Sequence, residues 1–96
     1  MKAIMLITDS EAMRGFERVL IGEGHHGFTV VPAVAGSGRH GLKTGDRVHP
    51  GSSSLLLTVV DDQELSPMVA LLRRARGEAG GAEAARIWSF NVDEVV

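Results

Sequence analysis

Four short segments of the chain have the hydrophobic pattern of β-strands. Residues 2–8, 27–35 and 54–60 are mostly apolar without strict alternation, which is typical of strands buried on both faces. Residues 86–92 alternate with the period of two that a strand requires, with Trp88, Phe90 and Val92 on one face and Ile87, Ser89 and Asn91 on the other. The pattern predicts a sheet of four strands, and Pro32 within the second strand predicts a free edge or a bulge there.

Two longer segments have the period of amphipathic helices. Residues 11–24 and residues 61–76 each place an apolar side chain every three or four positions. Thr8 and Glu11 have the spacing of a capping box, which would begin the first helix, and Gly24 favours its end. The predicted buried stripes are Met13, Phe16, Val19 and Leu20 in the first helix and Leu65, Met68, Val69, Leu72 and Ala75 in the second.

The order of the elements, βαββαβ, is that of an α+β, ferredoxin-like fold in which two helices cover one face of a four-stranded antiparallel sheet. A chain of 96 residues forms one such domain, residues 1–96. The other face would then expose apolar side chains, including Trp88 and Phe90, well beyond what soluble monomers tolerate. The sequence therefore predicts an oligomer that buries this face.

Composition limits the classes of function. The chain has a formal charge of −2, a hydrophobic fraction of 44% and no cysteine, which is typical of a soluble cytoplasmic protein. No apolar run approaches the length of a membrane span, so we expect no membrane insertion. The four aromatic residues do not form a strand that would stack bases, so we expect no nucleic-acid partner. No Cys–His or G-x-S-x-G arrangement is present, and we expect no enzymatic activity.

A glycine-rich segment, residues 36–54, separates the second and third strands and contains five glycines and no apolar period. It carries three cations, Arg39, Lys43 and Arg47, against one acid, Asp46, so its net charge is +2. We expect a flexible loop over about 37–53 that responds to an anionic ligand. Its first part would supply an anion-binding nest of backbone N–H groups and a guanidinium clamp, formed by Gly36, Ser37, Gly38 and Arg39. The alternative is a solvated hairpin loop.

The histidines offer a competing hypothesis of metal binding, because imidazole is a common ligand of zinc, copper and nickel. His40 and His49 lie nine residues apart in the same loop, and Asp46 would complete a set of three ligands. His25 and His26 lie in the turn before the second strand, where adjacent histidines are more often solvated than coordinating. No H-x-x-H or H-x-x-E-H spacing supports either site.

Three motifs resemble the PII-like family of signalling proteins. They are GHHGFTVVPAVAGSGR at residues 24–39, VVDDQ at residues 59–63 and ARIWSFNVDEVV at residues 85–96, and the similarity runs from about residue 2 to residue 96. The resemblance implies a homotrimer with three clefts between subunits, in which family members commonly bind adenine nucleotides, and a long loop that moves in response. It implies an unidentified target protein, such as a transporter or an enzyme, and no required cofactor.

The resemblance also implies roles for single residues. Thr29 would lie near the edge of an adenine, Val60 near its ring, and Arg86 would face phosphate. Gly80 and Gly81, in the loop after the second helix, would present backbone N–H groups to the ligand, which would be ATP, ADP or AMP.

The sequence departs from the classical pattern of the family in features that concern its covalent modification and its ligands. The chain has no tyrosine, so regulation by uridylylation is not expected. His40 replaces the glutamine that serves 2-oxoglutarate binding in classical members. Trimeric ferredoxin-like proteins of the CutA type are a more distant relative, and the metal hypothesis for His40, Asp46 and His49 belongs with them.

Overall fold

The computed structural model describes residues 1–34, 36–38, 41–43, 52–78 and 85–96. The predicted order of strands and helices is present, with one short hairpin added between the second and third predicted strands. The elements are β1 (Lys2–Asp9), α1 (Ser10–Gly22), β2 (Phe28–Val34), β3 (Gly36–Gly38), β4 (Gly41–Lys43), β5 (Ser53–Val60), a 3-10 turn (Asp62–Glu64), α2 (Leu65–Glu78) and β6 (Arg86–Asn91).

The main sheet has the strand order β2-β5-β1-β6, and each neighbouring pair is antiparallel. This order, with two helices, confirms the predicted ferredoxin-like fold. The β2–β5 register shifts between Val31 and Val34, around Pro32, so the irregularity predicted there is present. Within the described residues, no helix is both long and apolar enough to cross a membrane.

The core lies between the helices and one face of the sheet. Alternate residues of the two central strands, Ile4 and Leu6 on β1 and Leu56 on β5, are completely buried against the helices. Phe16 on α1 and Leu72 on α2 meet them in the same cluster. The stripes predicted from the helical period therefore form this core, except that Val19, Leu65 and Val69 are only partly buried.

The first turn of α1 is held by serines at and just before the start of β5 rather than by the predicted capping box. Thr8 is the penultimate residue of β1, where it pairs with Ser54, and its buried hydroxyl has no hydrogen-bond partner among the described residues. The Ser10 N–H donates to the Ser52 carbonyl oxygen at 3.0 Å, and the Ser10 hydroxyl lies 2.7 Å from that of Ser52 and 2.8 Å from that of Ser54. Strand pairing has thus overridden the local capping signal.

The turn after α1 follows the prediction for Gly24. Its φ of 84° is the left-handed conformation that glycine adopts without steric cost. The N–H of Gly24 donates to the carbonyl oxygen of Ile21 and that of His25 to the carbonyl oxygen of Leu20, at 3.0 and 2.8 Å. These bonds satisfy carbonyl groups that the end of a helix otherwise leaves without a partner.

Part of the predicted loop is regular structure. Gly36–Gly38 pairs antiparallel with Gly41–Lys43 as a separate two-stranded sheet. A stretch so rich in glycine has no apolar period from which strands are predicted. Residues 39–40 and 44–51 of the loop lie outside the described residues.

We expect the carboxyl group of Asp62 to titrate below its ordinary range. The amino group of Met1 lies 3.0 Å from Asp62 Oδ1, and this hydrogen bond and its charge lower the pKa of the carboxyl group. A lowered folded-state pKa adds stability above the ordinary carboxyl pKa, and this contribution is lost as the pH falls through the lowered value. Carbon-detected NMR titration measures the pKa of the Asp62 carboxyl group. Acetylation of the Met1 amino group should return this pKa to its ordinary range. A pKa that acetylation leaves unchanged would contradict the prediction.

Candidate ligand site

The face of the sheet that carries no helix is apolar and is called here the open face. Val59, Trp88 and Phe90 on this face are 49%, 45% and 46% exposed, as predicted for an uncovered face. Strand registers place Ala3, Met5, Ile7, Thr29, Val31, Leu55, Leu57 and Val59 on it together with Arg86, Trp88 and Phe90.

One end of the open face is hollowed into a shallow depression of about 430 Å³. Phe90, Ala3 and Val59 lie side by side across β6, β1 and β5. Two of its lining residues, Ala3 and Gly27, are small, and a Cβ added at Gly27 would meet no atom within 4 Å. Its other lining residues are Thr29, Leu57 and Thr58.

The lining of this open-face depression is apolar around one available hydroxyl. Thr29 is exposed and its Cα lies opposite Leu57, so its side chain stands beside Leu57 on the open face. The hydroxyl of Thr58 donates to the carbonyl oxygen of Gly27 at 2.7 Å and is already engaged. The depression therefore suits a neutral, largely apolar group that forms one hydrogen bond with Thr29.

Thr29 and Val60, the two residues expected at an adenine, lie on opposite faces of the sheet. Val60 is buried and belongs to the core on the helix side. Val59 and Leu57 are the β5 residues that share the depression with Thr29. The sequence did not predict Leu57 or Val59 at the site. Once Thr29 is paired with Leu57, the two-residue period of β5 places Val59, and not Val60, on the same face as Thr29.

Arg86 lies on the opposite edge strand of the sheet from Thr29, and Gly36–Gly38 follow the far end of Thr29's own strand, β2. Arg86 begins β6 opposite Ile7, and its Nη1 donates to the Ala85 carbonyl oxygen at 3.1 Å. Thr29 and Arg86 are separated by three strand spacings and two residues along the strands, roughly 16 Å between Cα atoms. Among the described residues, a single chain does not bring Thr29 together with Arg86.

The backbone of Gly36–Gly38 is extended in this structure. Successive N–H groups of a strand point to opposite edges, whereas a nest aims them at one point. An anion-binding nest would require these residues to leave the strand conformation. The other predicted ligand residues, Arg39, Gly80 and Gly81, and the metal set His40, Asp46 and His49 lie outside the described residues. Among the described ones, no group of three or more His, Asp or Glu side chains is placed to hold a metal.

Comparison with solved structures supports the fold. The chain is similar to CPII, a nitrogen regulatory PII-like protein from Thiomonas intermedia K12 whose structure contains ADP, AMP and bicarbonate. The TM-score is 0.64 at 17% sequence identity, and the match covers 95% of this chain and 86% of CPII. No curated protein sequence matches the chain.

Comparison with models of protein families covers the whole chain. The model of the nitrogen regulatory protein P-II matches residues 1–96, which include all the motifs on which the resemblance was based. With this match and the ferredoxin-like sheet order, the chain belongs to the P-II family of nitrogen regulatory proteins.

Proposed function

We propose that the protein is a cytoplasmic, non-enzymatic PII-type regulator that forms a homotrimer and binds an adenine nucleotide in each cleft between subunits. The observation that carries the proposal is the separation of Thr29 from Arg86, which lie on the two edge strands, β2 and β6, of one apolar, uncovered face, while Gly36–Gly38 follow the far end of β2. A site that needs both groups of residues is completed by a neighbouring copy.

The separation also favours a ring of subunits. When one edge of the face meets the other edge of the next copy, the contact is heterologous, and such contacts form a closed ring when the rotation between copies closes and an open filament when it does not. Three copies give one closed ring with three equivalent clefts, as the family resemblance implies. Burying Val59, Trp88 and Phe90 between copies supplies the hydrophobic driving force.

Each half of the cleft contributes different chemistry. The depression of one subunit receives the base, with Leu57 and Val59 against the ring and Thr29 at its edge. Arg86, Arg39 and the glycine N–H groups of a neighbouring subunit bind the phosphates, because guanidinium groups form short, charge-assisted bonds with phosphate oxygens. The ADP and AMP in the CPII structure support this choice of ligand.

Ligand binding would act on the loop that follows β2. Phosphate contacts made by Arg39 and by residues 36–38 exist only when the nucleotide is bound, so they favour one arrangement of residues 37–53 over others. The surface that this loop presents to a target protein, such as a transporter or an enzyme, would then depend on the nucleotide.

Isothermal titration calorimetry with ATP, ADP and AMP tests the proposal. We expect Arg39→Ala to weaken binding by about 1.5–3 kcal/mol, because it removes charge-assisted hydrogen bonds to phosphate. Arg73→Ala is the matched control, since Arg73 is exposed on α2, among the helices that cover the other face of the sheet, and its loss should leave the affinity unchanged.

The metal hypothesis predicts the opposite pattern. No heat with any nucleotide at millimolar concentration, together with tight uptake of zinc or copper, would replace the nucleotide proposal with metal binding by His40, Asp46 and His49. In that case His40→Ala would impair uptake more than Arg39→Ala.

A further inference from the structure

A second cavity lies on the helix side of the sheet, between the turn after α1 and the 3-10 turn before α2. Its volume is about 250 Å³. Buried core residues form its floor, with Leu20, Val60 and Met68 all less than a tenth exposed. It is smaller than most drug-sized pockets and holds a molecule of the volume of about eight waters.

The rim of this α1–β2 cavity carries three polar side chains. His25 and His26 come from the turn after α1, and Glu64 comes from the 3-10 turn. The carboxylate of Glu64 has no ion-pair partner among the described residues. Neutral imidazoles offer one acceptor nitrogen each and a carboxylate offers only acceptors. The rim is therefore rich in hydrogen-bond acceptors above an apolar floor.

The charges around the cavity also favour a cation. Glu23, beside the turn, is paired with Arg74 at 2.7 Å, and Asp62 is paired with the amino group of Met1. A further cation among the described residues is Lys2, which pairs with Val60 of the cavity floor but whose ammonium group donates to Asn91 Oδ1 on β6. Asp61 adds a further exposed carboxylate next to the 3-10 turn. Of the described residues that line the cavity, the acidic one is Glu64, so a negative charge stands at its rim.

We propose that the α1–β2 cavity binds a small organic amine, with its short apolar body on the core residues and its ammonium group against Glu64. An anion is disfavoured by the same carboxylate. A bare metal ion does not fit, because no group of three or more His, Asp or Glu side chains among the described residues is placed to hold one. The site lies within one chain, so the proposal does not depend on the nucleotide site.

The test compares three probes of the same shape by ¹⁵N–¹H NMR at about pH 8, where imidazoles are neutral. They are 3-methylbutylamine, 3-methylbutan-1-ol and 3-methylbutanoate. We expect the amine to shift the amides of His25, Gly27 and Glu64 and to bind about fivefold more tightly than the alcohol, as for an exposed ion pair. The carboxylate should bind least.

Three variants make the test specific. Glu64→Gln should reduce the affinity for the amine to that for the alcohol, and Glu64→Lys should abolish amine binding. Glu11→Gln removes an exposed carboxylate at the other end of α1 and should change nothing.

Three results would overturn the proposal. They are a carboxylate that binds as tightly as the amine, an amine affinity that survives Glu64→Gln, and amide shifts confined to residues away from the cavity. None of these results bears on the nucleotide titrations, so the two proposals fail independently.

Discussion

Trp88→Glu is expected to convert the protein from a trimer into monomers. Trp88 is 45% exposed in the single chain and lies on the open face beside Met5. In the proposed trimer its ring is buried between copies, and a carboxylate without a partner in such an interface is strongly disfavoured. Size-exclusion chromatography with multi-angle light scattering measures the change as a fall to one third of the wild-type mass.

Ile21→Glu is the matched control for this experiment. Ile21 is 52% exposed, but it lies on α1, on the side of the sheet away from the open face. Placing the same charge there should leave the mass unchanged. A wild-type protein that is monomeric in dilute buffer, or a Trp88→Glu variant that keeps the wild-type mass, would contradict assembly through the open face.

Phe16→Ala is expected to lower the free energy of unfolding by about 3–5 kcal/mol. Phe16 is the largest of the fully buried side chains and contacts the sheet from the centre of α1. Its removal leaves a cavity that rigid sheet residues such as Ile4 and Leu6 cannot fill. Urea denaturation followed by circular dichroism measures the loss, at a fixed protein concentration because assembly also contributes to stability.

Ile21→Ala, on the same helix, should cost only about 0.5 kcal/mol because Ile21 is half exposed. Equal losses for the two variants would mean that α1 does not pack on the sheet as described. A loss at Phe16 below about 1 kcal/mol would lead to the same conclusion.

The elements that the sequence predicts correctly are those with a clear hydrophobic period. Phe16 and Leu20 lie four positions apart on α1, and Leu72 belongs to the corresponding apolar stripe of α2. All three are buried in the core. The open apolar face was also predictable, because strands that are apolar on both sides have only two helices to cover them. These features depend on spacing along the chain, which the sequence records directly.

Other features depend on pairing between distant segments. Thr8 and Glu11 have the spacing of a capping box, but pairing of β1 with β5 extends through Asp9 and keeps Thr8 in the strand. From the sequence alone, either Val59 or Val60 could lie on the same face of the sheet as Thr29. The pairing of Thr29 with Leu57 places Val59 on that face and Val60 on the other. The β3–β4 hairpin has no apolar period, so its strands are set by backbone pairing alone.

The irregularity at Pro32 limits how copies of the chain can aggregate. β2 is an edge strand, and an exposed edge next to an apolar face is a template for unlimited strand addition, as in amyloid. Proline has no N–H to donate, and the register shift beside it distorts the edge. Copies can therefore meet through their faces without growing into fibrils along this strand.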